Sequence, residues 1–209
     1  MLNTKRIVLR PLLRRDDVAV RDLAASKKIT DICIWSVAGY GRKMARRWIA
    51  GTQQWWACGT GAEFGIELLG EGKIFGLIGL ADLDAKHASA ELGFLLDERY
   101  WGHEYASEAA AVVVWFGFHV LKLNRIYARH LASNAASARV LTKVGMKREG
   151  VLREFARRPK GFEDVVVRAI LRREWKQMPG PSGVRKRGKL KWGEESRKQK
   201  AEIRDAGTA

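Results

Sequence analysis

Residues Glu91 to Ala109 read ELGFLLDERYWGHEYASEA, and the change of character along this stretch decides the fold. The first part, with Ala90, is a short apolar run suited to a strand ending at Leu96. A polar loop containing one glycine follows, and from about Tyr105 an apolar helix runs to Leu121. A strand that turns into a helix leaves the first helical N–H groups without partners, at the positive end of the helix dipole. Such an end seats an anion. Gly102 permits close backbone approach, His103, Tyr105, Ala106 and Ser107 supply amide donors, and Arg99 adds positive charge. On its residues alone, the stretch reads either as an anion-binding loop or as an ordinary strand-to-helix connection.

Working outward, Arg6 to Leu12 alternates and is stopped by Pro11, which suits a first strand. Asp16 and Asp17 stand where an N-cap and a first-turn acid belong, before a helix closing near Ser26. A second helix is expected from about Arg42 to Trp56, with Met44, Trp48, Ile49 and Trp55 as its apolar stripe. Glu63 to Leu69 and Lys73 to Asp82 alternate around Gly70-Glu71-Gly72, the pattern of a hairpin. Downstream come a strand over Arg125 to His130, a helix over Ala135 to Val144 stopped by Gly145, and two strands. These last run from about Met146 to Ala156 and Glu163 to Arg172, with turn residues Pro159, Lys160 and Gly161 between them. The order β-α-α-β-β-β-α-β-α-β-β describes a mixed α/β (α+β) fold, with a strand–helix–strand crossover near the centre of its sheet.

The composition, 46% hydrophobic and 30% charged over 209 residues, is that of a globular domain with an appendage. Residues 1–175 form the expected domain. Beyond them Pro179-Gly180-Pro181-Ser182-Gly183 links to a Lys/Arg-rich segment, so residues 176–209 read as a basic, flexible tail. The formal net charge is +16. The tail holds ten Lys and Arg against four Asp and Glu, a net of +6, which leaves +10 on the rest. That charge favours polyanionic company, or marks a solvated surface that attracts nucleic acid non-specifically. The longest uncharged apolar run, Ala109 to Phe118, is too short to cross a bilayer, and Met1 is not followed by a secretory h-region. Cys33 and Cys58 lack metal or redox spacing, and the four histidines show none either. A cytoplasmic protein with free thiols and no metal is expected.

The quoted stretch resembles the acetyl-CoA-binding motif of the GNAT acetyltransferase superfamily. It is most similar to the branch that includes the ribosomal-protein N-terminal acetyltransferases, where a pattern like AELGYWL…YWGKGYATEA is usual. The likeness continues in register: RIVLRPL resembles the branch's opening strand, KIFGLIGLADLD its central hairpin and LNRIYARH its next strand. NAASARVLTKVGMKREGVLRE, from Asn134 to Glu154, resembles the family's Asn-x-x-Ser helix and Gly-Phe-x-x-Glu-Gly segment, and the strand holding Asp164 its last element. The resemblance covers about residues 4 to 175. It implies the GNAT acyl-CoA N-acyltransferase fold, a central mixed twisted sheet flanked by helices.

It also implies roles. Phe94, Leu95 and Leu96 would pair their backbone with the pantetheine arm, on a strand splayed from its neighbour. The loop from Arg99 to Ser107, anchored by Trp101, would wrap the pyrophosphate. Asn134 and Ser137 would contact the cofactor, with Ser137 placed to return a proton to the departing thiolate. Glu91 is the candidate base, directly or through water, with a buried structural carboxylate as the other reading. Trp35 would line the amine site or the core. One position departs from the pattern: Glu104 stands where the family has glycine or alanine. If that position needs φ > 0, the residue costs about 1–2 kcal/mol. If it needs only room, a carboxylate still lies near a pyrophosphate and like charges repel.

The function these features imply is transfer of an acetyl group from acetyl-CoA to a primary amine, either a protein N-terminus or a small amine. A competing reading is a catalytically weakened GNAT-fold module that binds RNA or ribosomes through its basic surface and tail. Glu104 favours that reading, whereas a tail with Trp192 as its one aromatic offers little for base stacking. The sequence is compatible with a homodimer.

Overall fold

In the computed structural model, which describes residues 1–34, 39–159 and 161–175, the alternating segments form one eight-stranded sheet. In chain order the elements are β1 (Leu2–Asn3), β2 (Ile7–Arg10), α1 (Asp17–Ala25), α2 (Lys27–Thr30) and α3 (Arg42–Cys58). Then follow β3 (Ala62–Leu68), β4 (Ile74–Asp84), β5 (Ser89–Leu96), α4 (Tyr105–His119), β6 (Arg125–Leu131), α5 (Ala135–Lys143), β7 (Lys147–Arg158) and β8 (Gly161–Leu171). This is the expected order with β1 and α2 added. Neither is long enough to show a period in sequence.

The sheet runs β1-β2-β3-β4-β5-β6-β8-β7. Every neighbouring pair is antiparallel except β5 and β6, which lie parallel and are joined by α4 as the crossover that parallel strands require. Their ladder is short: Ser89↔Arg125, Ala90↔Ile126 and Glu91↔Tyr127, and no further. Meanwhile β5 stays paired to β4 through Leu96. The two central strands therefore diverge beyond Glu91.

On one face of the sheet, α4 is buried on nearly all sides through Ala109, Ala110, Val112, Val113, Val114, Phe116 and Phe118, as its uniform hydrophobicity predicts. Gly117 lets it approach β6, because a Cβ there would stand 2.6 Å from the Ile126 Cδ1. On the other face, α1 and α3 pack Val20, Leu23, Ala45 and Ile49, with Leu12 from the segment before α1, against Ile74 and Leu77 of β4. The expected stripe of α3 is corrected here. Met44 is exposed, and the inward face is Ala45, Ile49 and Thr52. Small Ala45 lets the helix lie close, and the bulky rings sit at its margins: Trp48 meets Trp55 edge-on at 6.4 Å.

Two ionic knots fix this second layer. Asp16 is not the side-chain N-cap that its position predicts. Its carboxylate accepts from Arg10 Nη1 and Nη2 at 2.7 and 2.9 Å and from the Leu13 N–H at 2.7 Å. The Arg10 Nε donates to Glu67 at 2.7 Å, so the buried guanidinium is neutralised from two sides. Asp17 accepts from Arg42 at 2.8 Å and Arg46 at 2.5 Å, which lashes α1 to α3. The same two guanidinium groups hold its carboxyl down at about 2. The proposed tail, residues 176–209, and Trp35 lie outside the described residues.

Candidate active site

The divergence of β5 from β6 opens a cleft of about 540 Å³. Its floor is Leu92 to Leu96, an edge no longer bonded to β6. Beyond Leu96 the chain bends through a short 3-10 turn, Glu98–Tyr100, and reaches α4 by way of Gly102 at φ 82° and Glu104 at φ 65°. Because Glu108 N–H is the first to bond back, to Glu104, the N–H groups of Tyr105, Ala106 and Ser107 at the head of the helix have no intrahelical acceptor. Trp101 anchors the loop as expected, its indole N–H donating to Leu96 O at 2.9 Å. Tyr100 stacks on Phe75 at 4.2 Å and Tyr105 lies 5.4 Å from the same ring. Arg6 adds a brace, donating to Glu108 and to His103 O.

Phe94, Leu95, Leu96, Trp101, Gly102, Glu104, Tyr105, Ala106, Ser107, Asn134, Ser137 and Glu91 all line this cleft, so the structure brings together most of the residues expected there. Arg99 and His103 are not among the lining residues. Arg99 folds back onto Asp97, donating to it at 2.5 and 3.0 Å, because an acid two residues earlier is within reach of an exposed guanidinium. Among the described residues the cations that do line the cleft are Arg129, which is paired with Glu91, and Arg139 and Lys143 of α5. The last two stand four residues apart, on one face of a helix that Asn134 and Ser137 already placed at the site. That spacing was a readable signal.

Glu104 takes the left-handed conformation, so its backbone carries the strain that glycine would avoid. Its charge is answered: Lys143 Nζ donates to Glu104 Oε1 at 2.5 Å and holds the carboxyl below its usual range. Asn134 is committed to structure. Its Oδ1 accepts from the Ser137 N–H at 2.9 Å, capping α5, and its Nδ2 donates to Ile32 O at 2.9 Å. Its side chain thus builds the cleft wall rather than reaching into the space. The half-buried Ser137 hydroxyl faces that space with no hydrogen-bond partner among the described residues.

Glu91 is also committed. Both of its oxygens accept from Arg129, at 2.8 and 2.6 Å, two residues beyond its partner Tyr127 in the last rung of the β5–β6 ladder. The pair is half-buried.

On the face away from α4, the cleft continues between Ile29, Ile32, Cys33, Ile34, Trp48 and Leu77. Arg158, at the end of β7, fastens this wall by donating to the carbonyls of Thr30, Asp31 and Cys33 at 3.1, 2.7 and 2.8 Å. Burial pushes the Cys33 thiol up, and burial lowers His130, so both stay neutral near pH 7. Glu63 completes the lining on this face. Sequence reading passed over it, because an acid at the start of an alternating strand is ordinarily a solvent-facing position.

These features fit a thioester carried on a phosphate-bearing arm: a strand edge to pair with, a free helix end with room above Gly102, and the cations of α5. Among the described residues no helix is long and apolar enough to cross a membrane, and no group of His, Cys, Asp and Glu is arranged to hold a metal.

The chain is similar to known proteins throughout this region. A family model described as an acetyltransferase (GNAT) domain matches residues 6–147. The "Uncharacterized N-acetyltransferase YoaA" of Bacillus subtilis is 40% identical over 95 residues, 46% of this chain and 54% of that protein. The "Putative ribosomal N-acetyltransferase YdaF" of the same organism is 30% identical over 113 residues, 53% of this chain and 62% of that protein. The matches thus span little more than half the length of these relatives. A GNAT-family acetyltransferase structure from Bacillus anthracis superposes with a TM-score of 0.72 at 26% identity, covering 83% of this chain and 99% of that one. With its strand divergence, its helix-end cradle and this match over most of the described chain, the protein belongs to the GNAT acetyltransferase family.

Proposed function

We propose that the protein transfers the acetyl group of acetyl-CoA to the α-amine of a protein N-terminus, in one ternary complex. The observation that carries the reading is a single cleft with two unlike ends. A backbone-lined end suits a phosphate-bearing donor, and an apolar end suits an acceptor with a non-polar residue beside its amine. Support for a protein acceptor comes from the ribosomal relative, and from the net charge of +16, which repels polycations and favours an acceptor presented on a ribonucleoprotein.

When bound, acetyl-CoA supplies the activated thioester carbonyl. The free edge of β5 holds and orients its arm, and an N–H of that edge faces the developing oxyanion. The amides of Tyr105, Ala106 and Ser107, with Lys143 and Arg139, balance the phosphates. Ser137 returns a proton to the sulfur as it leaves. Glu104 lowers donor affinity by its charge, and Lys143 offsets part of that loss.

Thermal unfolding with and without acetyl-CoA tests the donor half: saturation at 100 times Kd stabilises by about 2.7 kcal/mol. Thiol release with peptides starting in Ala or Ser, compared with spermidine, tests the acceptor half. A salt-sensitive shift with RNA, combined with no shift by acetyl-CoA, overturns the proposal in favour of a binding module.

A further inference from the structure

We propose that Glu63 is the group that takes the proton from the acceptor, and that as the one unpaired carboxylate lining the cleft among the described residues it selects an acceptor with a single ammonium. The inference rests on the acetyltransfer reading above and deepens it. Glu63, Gly79 and Gly93 are partners in one row across β3, β4 and β5. An ideal Cβ on Gly79 would stand 2.1 Å from Glu63 Oε2, so the carboxylate lies over that glycine. Nothing stands within 4 Å of a Cβ on Gly93. Two missing side chains therefore clear a path from Glu63 to the strand edge where β5 leaves β6. Only glycine at position 79 allows this, because a Cβ would also meet the Ala62 carbonyl oxygen at 2.5 Å.

Among the described residues three acids line the cleft: Glu63, Glu91 and Glu104. Arg129 occupies Glu91 and Lys143 occupies Glu104. Glu63 has no side-chain hydrogen bond or ion pair among the described residues. Among the described residues, the elements packed on β3 bring it no countercharge. From α3 come Trp55 and Trp56, the latter donating to Glu63 O. From β2 comes Arg10, which is already bound to Asp16 and Glu67. A spermidine-like acceptor would bury a second ammonium with no carboxylate to meet it.

The residue is half-buried, yet its carboxyl is shielded enough that desolvation alone pushes it up to about 8. That is close to the value of about 7.7–8.0 of a chain's α-ammonium and far below the value near 10.4 of a lysine side chain. A carboxylate raised in this way takes a proton from an α-ammonium more readily than a solvated carboxylate does. The acceptor ammonium gives one proton to Glu63, the C–N bond forms as the C–S bond breaks, and Ser137 protonates the thiolate. The proton left on the new amide nitrogen passes to the Ser137 oxygen, and Glu63 releases its own to solvent.

The test is Glu63→Gln in the full chain, assayed with an Ala-starting peptide at saturating acetyl-CoA. We expect kcat to fall by about 100-fold or more, with acetyl-CoA affinity by calorimetry changed less than about twofold. A second readout needs no turnover. A carboxyl raised in the folded state favours folding fully below its unfolded value of about 4.3 and loses that contribution as pH rises toward 8. Thermal stability of the wild type should therefore drop from pH 5 to pH 8 relative to Glu63→Gln. Retention of kcat within about threefold, or parallel stability curves, overturns the inference. A wild type that binds acetyl-CoA but acetylates no amine removes the underlying reading instead. Should Glu63→Gln fail to fold, Glu63→Ala takes its place, and kcat within about threefold of the wild type there overturns the proposal.

Discussion

The two ends of the cleft are built in opposite ways. The donor end is mostly backbone: a strand edge, three free amides, and a loop held by Trp101 to Leu96 O. The acceptor end is mostly side chain, gathered from α2, α3, β3 and β6 and clamped by Arg158 from β7. Backbone recognition tolerates change in side chains, whereas an assembled wall depends on each member. Substitutions at the two ends should therefore separate cleanly in their effects.

The largest effect is expected from Arg129→Met. It leaves Glu91 half-buried without its partner, and we expect a loss of about 2–4 kcal/mol in unfolding free energy, with acceptor KM rising and acetyl-CoA affinity held. Denaturant titration and two-substrate kinetics measure both. If acetyl-CoA affinity falls equally, the two ends are not separable.

Glu104 offers a finer test at the donor end. Glu104→Gln removes the charge but keeps the left-handed backbone, and Glu104→Gly removes both. Each should tighten acetyl-CoA by about threefold to tenfold at low salt. The glycine variant alone should also gain thermal stability, through relief of about 1–2 kcal/mol of strain. No gain in affinity from either would mean that Lys143 already cancels the charge.

The smallest effect concerns acid. Asp17, held at about 2 by Arg42 and Arg46, contributes stability that is present above its ordinary value near 3.9 and lost as pH falls through about 2. Between pH 4 and pH 2 the wild type should lose more thermal stability than Asp17→Asn. Glu63 slopes the opposite way, between pH 5 and 8.

What could be read in advance follows the same division. The strand–loop–helix of the donor end shows in local pattern, since its geometry is set within about twenty consecutive residues, and so did the order of nearly every element. The acceptor wall could not be read. Glu63 becomes a cleft residue only because Gly79 and Gly93 stand beside it on other strands, and Arg158 finds its carbonyls 125 or more positions away. The fate of Glu91 was set by a guanidinium on the neighbouring strand, Arg129, 38 positions away, which no local spacing announces.

The Arg158 clamp has a practical meaning for anyone redesigning this scaffold. The last turn of α2 and the tip of the β7–β8 hairpin are held by one guanidinium and behave as a single part. Grafting either segment alone from a relative would orphan three carbonyls or one cation. The smallest exchangeable cassette for acceptor preference is the pair, transplanted together.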